Sequence, residues 1–179
     1  MINLDWLDSY KFETLTKRII LSVTRKVFDP VDLLCLVLLI PKLLLQWMWK
    51  ENIPWDSEVN ANIKEEFTSW FSELHLLKEV TISRCFSIDP SRQNISLHTL
   101  CDASHSAFAA AVYIRVETSE NVQVHLLAAK ARVASVKPMT ISRLELMAAM
   151  VGARLCASVV EGLQWKHANS IIGLTQRLF

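Results

Sequence analysis

Apolar residues along this chain recur first at helical spacing and later at strand spacing. From Thr16 to Phe28, the residues Ile19, Ile20, Val23 and Val27 keep the intervals of one helix face, while Lys17, Arg18, Arg25 and Lys26 supply a basic side. Asp29-Pro30 ends that helix, because proline disfavours helical geometry in the residue before it and suits the first turn of a new helix. A second helix is expected from Val31 to about Lys50, apolar nearly all round at first and then striped by Lys42, Gln46 and Lys50. Asn52-Ile53-Pro54-Trp55-Asp56-Ser57 has the composition of a turn. A third helix is expected from about Val59 to Leu77, with Ile63, Phe67, Trp70, Phe71, Leu74 and Leu77 on one face and Lys64, Glu65 and Glu66 on the other.

Past a loop between Phe86 and Asn94, which holds Asp89-Pro90-Ser91, the period changes to two. Ile95, Leu97, Thr99 and Cys101 alternate with Ser96, His98, Leu100 and Asp102, which predicts a strand ending on Asp102. Strands from Phe108 to Arg115 and from Val122 to Ala129, joined by the polar turn from Glu117 to Asn121, predict an antiparallel hairpin. A loop from Lys130 to Thr140 then leads into a helix from about Ser142 to Val160. Glu145, Ala149, Gly152 and Cys156 share one stripe of it, and the small side chains there would let it pack close on the sheet. The order is that of an α+β chain: a helical region over residues 1–85, then a mixed sheet with one long helix over 86–179.

A length of 179 residues, 51% of them hydrophobic, suffices to bury a sizeable core, and only 3 glycines and 5 prolines leave little for long linkers. The net charge of +1 gives no broad electrostatic footprint for nucleic acid. Cys35, Cys85, Cys101 and Cys156 form no Cys-x-x-Cys pair, so reduced thiols are expected rather than a zinc site or a disulfide framework. The apolar run from Leu33 to Ile40 falls far short of the roughly 20 residues a spanning helix needs. No membrane partner and an intracellular location, cytoplasmic or nuclear, are therefore expected. Trp47, Trp49, Trp55, Trp70 and Phe71 suit either a base-stacking platform or core packing, and helical spacing favours the core.

Two carboxylates stand out. Asp102 follows a strand and opens the small polar loop Ala103-Ser104-His105-Ser106, and Glu145 lies near the start of the long helix. Each has an ordinary role available: Asp102 as a turn cap, and Glu145 as the returning acid of a capping box begun by Ser142. Together they would present hard oxygen ligands to a divalent metal, as phosphodiester hydrolysis requires. No Asp-Thr-Gly or Asp-Ser-Gly motif of an aspartic protease is present. His75, His98, His105, His125 and His167 are scattered, with only His105 near Asp102.

Thr16-Lys17-Arg18, Val27-Phe28-Asp29-Pro30, Leu43-Leu44-Leu45-Gln46, Trp55-Asp56, Cys101-Asp102-Ala103-Ser104, Ala128-Ala129-Lys130-Ala131-Arg132-Val133 and Ser142-Arg143-Leu144-Glu145-Leu146 occur in an order that resembles the BEL/Pao class of retrotransposon polyproteins. The matching segment, often labelled the Pao retrotransposon peptidase family, follows the reverse transcriptase core and runs into a ribonuclease H-like domain. Asp32 departs from the family, which usually has glycine there. The resemblance implies a ribonuclease H-like fold whose acids hold Mg2+ and cleave the RNA strand of an RNA/DNA hybrid. Asp102 would be the first-strand aspartate and Glu145 the first-helix glutamate, both catalytic and both metal ligands, with the rest of a Pol polyprotein as partner.

The family's third acid belongs to a Trp-x-Asp-Ser segment, for which Trp165-Lys166-His167-Ala168-Asn169-Ser170-Ile171-Ile172 allows two registers. Either Asn169-Ser170 stands for Asp-Ser, or Ile171-Ile172 is the strand leading to it and Gly173-Leu174-Thr175 replaces the motif; the second is favoured. Either register lacks the acid, so a truncated domain with no hydrolysis by this chain alone is the expectation. Two rivals stand beside it. One is a domesticated, non-catalytic interaction module binding nucleic acid through Lys17, Arg18, Arg25 and Lys26; the other is a pseudogene product.

Overall fold

In the computed structural model, the described residues are 4–10, 12–29, 32–80 and 94–164, with the backbone of 169–174. The expected loop at Asp89-Pro90-Ser91, Cys85, Pro30 and the residues at 165–168 and 175–179 lie outside them. Contacts divide the chain into two units, one of residues 1–30 and 36–84, the other of residues 31–35 and 85–179.

The first unit holds three helices, α1 (Lys17–Lys26), α2 (Leu39–Lys50) and α3 (Ala61–Glu73), with a 3-10 turn over Leu74–Glu79. Thr16 caps α1 by accepting from the Ile19 N–H, and Asn60 caps α3 by accepting from the Ile63 N–H at 3.0 Å. The predicted face of α3 is the one buried: Ile63, Phe67 and Trp70 pack inward, followed by Leu74 and Leu77 of the 3-10 turn.

Proline decides where α2 begins. The second helix was expected from Val31, but α2 starts at Leu39, with turns over residues 33–38. Pro41 falls in its first turn, where a missing N–H matters least, and a longer helix would drive the ring against the carbonyl of Val37. That carbonyl, which Pro41 cannot use, accepts instead from Trp70 Nε1 at 2.8 Å. The same proline that stops the helix therefore supplies the site where α3 is pinned.

Position 32 explains the departure from glycine. Asp32 has φ of 54°, a left-handed backbone that glycine adopts without steric cost and aspartate tolerates better than most residues. Its carboxylate lies 3.7 Å from Lys130 Nζ within the second unit.

The second unit is a four-stranded sheet in the order β3-β2-β1-β4, with α4 (Ile141–Gly162) packed on it. β1 (Asn94–Ala103) pairs antiparallel with β2 (Ala107–Glu117), which pairs antiparallel with β3 (Val122–Val133). β4 (Asn169–Leu174) runs parallel to β1 on its other side. The hairpin is longer than expected, and the loop predicted from Lys130 starts only after Val133. A register shift after Val112 skips Leu127 of β3, which packs into the core with Leu97, Val112, Ile114, Val116 and Cys156. No helix among the described residues is long and apolar enough to cross a membrane.

Candidate functional site

Glycine sets the distance between α4 and the sheet. A Cβ added at Gly152 would lie 2.3 Å from Cys101 Sγ, 3.1 Å from Thr99 Cγ2 and 3.4 Å from Ala110 Cβ, so the helix backbone rests directly on β1 and β2. On one side of that contact Leu144 and Ala148 pack with Cys101, Phe108 and Ala110. On the other, Cys156 packs with Leu97, Ile114 and Val116. The first half of α4 therefore covers the C-terminal end of β1, and the helix runs antiparallel to that strand. Burial also pushes the Cys101 thiol above its usual pKa, as an inert core thiol.

The buried stripe is Leu144, Ala148, Gly152 and Cys156, so the expected stripe was right at Gly152 and Cys156 and one residue off before them. Glu145 and Ala149 flank it, half-buried. That offset keeps the Glu145 carboxylate out of the core. The capping-box role for Glu145 also falls away. The N-cap is Thr140, whose carbonyl accepts from Arg143 and Leu144 at 3.1 Å and whose hydroxyl accepts from Arg143. Ser142 is inside the helix, and the Glu145 carboxylate accepts no hydrogen bond among the described residues.

Asp102 is the penultimate residue of β1, opposite Ala109 of β2. Its Oδ1 accepts from the adjoining Ala103 N–H at 2.9 Å. It is not the cap of the turn that follows. Ser104 does that, its hydroxyl accepting from the N–H groups of Ser106 and Ala107 at 3.3 and 3.2 Å. Asp102 and Glu145 thus occupy the same end of the second unit, and neither has a structural task that consumes its carboxylate. Side chains alternate across a strand, so with Cys101 turned to α4, Asp102 turns to the opposite pleat. The two carboxylates share the end of the strand without facing each other across the helix–sheet contact.

The other described acids of this unit are elsewhere. Glu117 pairs with Asn94 at the far end of the sheet and is held below its usual pKa by a hydrogen bond from Arg115 at 2.6 Å. Glu120 lies in the β2–β3 turn, Glu161 in the last turn of α4, and Asp32 beside Lys130. No group of three His, Cys, Asp or Glu with metal-binding geometry occurs among the described residues. The register of β4 separates the two alignments of the missing third acid. Asn169 pairs with Ser96, six residues before Asp102 and roughly 20 Å away along the strand, so it cannot stand beside that aspartate. Ile171 and Ile172 are strand residues opposite His98 and Thr99, and no acid occurs in the sequence after Glu161.

The profile of the family described as Pao retrotransposon-like RNaseH-like domain matches residues 16–173. The chain belongs to this family. The match spans most of both units of this Pao-type chain, and its description names a ribonuclease H-like domain rather than a peptidase, in keeping with the lack of protease motifs. No curated protein matches the chain.

The four basic residues of α1 lie in the first unit of the Pao-type chain and have different surroundings. Lys17 is 2% exposed, its ammonium donating to the Ile53 carbonyl at 3.3 Å and lying over the rings of Trp49 and Trp55. Arg18 is exposed and bonded to both oxygens of Asp56, at 2.7 and 2.9 Å. Lys26 sits 4.2 Å from the centroid of Tyr10, and Arg25 is exposed. The expectation that the tryptophans are core holds for Trp70 and fails for Trp47 and Trp49, which are exposed. A lysine buried among indoles was not legible from spacing alone.

Proposed function

We propose that Asp102 and Glu145 form a ribonuclease H-type carboxylate pair that holds one hydrated Mg2+ ion, with an RNA/DNA hybrid as the nucleic acid partner. What supports this reading is the antiparallel seating of α4 on β1 through Gly152, which brings both carboxylates to one end of the second unit, with only Asp102 Oδ1 engaged, by the Ala103 N–H. The donor set suits Mg2+, a hard cation that keeps several waters and takes few protein oxygens.

The donors do not fit a pair of metal ions, which would need several more anionic oxygens to offset their charge and fix their spacing. The chain's own residues in this reading bind and orient. Asp102 is held by the Ala103 N–H, and Glu145 projects from a helix whose depth is fixed by close packing. Bound metal would supply charge stabilisation at a phosphate oxygen. The pair by itself is not expected to hydrolyse RNA in a hybrid unless another polypeptide segment adds acids beside Asp102.

A hybrid duplex with a fluorescent RNA strand, incubated with purified chain in Mg2+ or Mn2+, tests this directly. The expected result is no cleavage above background. Metal-dependent cleavage abolished by Asp102→Asn would show that the pair suffices for hydrolysis and would overturn that part of the reading.

A further inference from the structure

The outer face of α4 takes no part in the sheet contact or in the carboxylate pair. Opposite the stripe that packs on the sheet lie Leu146, Met150, Ala153 and Ala157, all exposed, Leu146 by 70% and Met150 by 46%. Their spacing of four, three and four residues is that of a helix–helix seam. Large side chains fill the N-terminal half of this face and small ones the C-terminal half.

Two charges bracket the seam. Arg143 stands in the first turn of α4 and Glu161 in the last, each at the end where the helix dipole disfavours its sign. Both are exposed, and neither has an ion pair among the described residues. The helix holds them roughly 27 Å apart, so within one chain they cannot offset each other.

We propose that this face pairs with the same face of a second copy of the chain, α4 against α4, antiparallel about a two-fold axis between Val151 and Gly152. That register sets Leu146 against Ala157 of the second copy and Met150 against its Ala153, so large side chains meet small ones throughout the seam. It also brings Arg143 beside Glu161 of the second copy, at both ends of the pair. A parallel arrangement stacks Leu146 on Leu146 and Arg143 on Arg143, and gains neither. A lipid surface fits poorly, because Arg143, Arg154 and Glu161 share the apolar face instead of lying opposite it. Arg154 comes near its own copy beside the axis, and a single helix pair is a small interface, so the dimer is a weak one. Glu145 lies outside the seam and half-buried, so pairing is independent of metal at the carboxylate pair.

Sedimentation equilibrium of the full chain, in reducing buffer with EDTA at about 5–300 µM, is the test. The mass should rise from 20.4 kDa toward twice that value, with a dissociation constant on the order of 10–100 µM. Met150→Glu places a charge in the seam and should weaken pairing at least about 10-fold. Arg143→Glu and Glu161→Arg each suit the helix dipole, so they should keep the fold, as far-UV circular dichroism would check. Each should weaken pairing by about 3- to 30-fold through two ion pairs per dimer, and the double variant should restore it. A monomer at every concentration would overturn the proposal and leave this face to a different partner. A dimer unchanged by folded Met150→Glu, unchanged by either charge reversal, or not restored in the double variant would overturn it as well.

Discussion

Alanine at position 152 should destabilise the second unit although alanine is the better helix former. In a helix interior the substitution gains about 1 kcal/mol of propensity. Against this, the new Cβ would lie 2.3 Å from Cys101 Sγ, and the sulfur has little room to turn, because Phe108, Leu144 and Ala148 share its pocket. Either α4 lifts from β1 or the strand shifts, and overpacking of this kind costs about 1–3 kcal/mol. The net expectation is a loss of about 1 kcal/mol, within a range set by how far the helix can lift. Urea unfolding followed by far-UV circular dichroism should show the midpoint falling by roughly 0.3–1 M for the slopes usual in small domains. The double variant with Cys101→Ala removes the atom in the way and should restore most of the loss, a coupling of about 1 kcal/mol or more. If Gly152→Ala raises the midpoint and shows no coupling to Cys101, the close seating of α4 is wrong, and with it the argument that brings Glu145 to the same end as Asp102.

Asp32→Gly should leave stability unchanged or raise it by up to about 1 kcal/mol in thermal unfolding, whereas Asp32→Val should lose about 1–2 kcal/mol at this left-handed position; the reverse order would refute the backbone argument. Thr99→Val replaces a fully buried hydroxyl that has no partner with a methyl of the same shape, so it should be neutral or stabilising by about 1 kcal/mol, and a clear loss would reveal a hydrogen bond at Thr99. Trp70→Phe orphans the Val37 carbonyl that Pro41 leaves open and should cost about 1–3 kcal/mol, with little change expected if Pro41 is also replaced by alanine. The Arg18 guanidinium holds Asp56 below its ordinary value of 3.8 by hydrogen bond and charge. A depressed carboxylate stabilises the fold above its unfolded pKa and loses that contribution as pH falls through the folded value. Acid titration should therefore show a small decline below about pH 4 that is absent in Asp56→Asn and shrinks in high salt, as befits an exposed pair.

Period carried most of the fold. The switch from helical to alternating spacing located α1, α3, the three antiparallel strands and α4 to within a few residues, because burial on one face imposes that spacing on any sequence. The failures have local causes. The start of α2 depended on the clash between Pro41 and the Val37 carbonyl, and apolar residues on both sides of Pro41 hid it. The cap of α4 went to Thr140 instead of Ser142, since both fit the same short pattern and only the chain path chooses between them. At the candidate site, Asp102 and Glu145 were legible as positions, while their shared end of the strand required the packing at Gly152. Lys17 looked like one of four surface cations, because nothing in its spacing announces the two indoles that enclose it from 30 residues and more away.

The carboxylate pair is tested most directly by counting bound Mn2+, a paramagnetic stand-in for Mg2+, by electron paramagnetic resonance on the wild type, Asp102→Asn and Glu145→Gln. The account predicts a single weak site, with a dissociation constant on the order of a millimolar or weaker, that either substitution removes. Binding unaffected by both substitutions would contradict it, and so would two tightly held ions in the wild type.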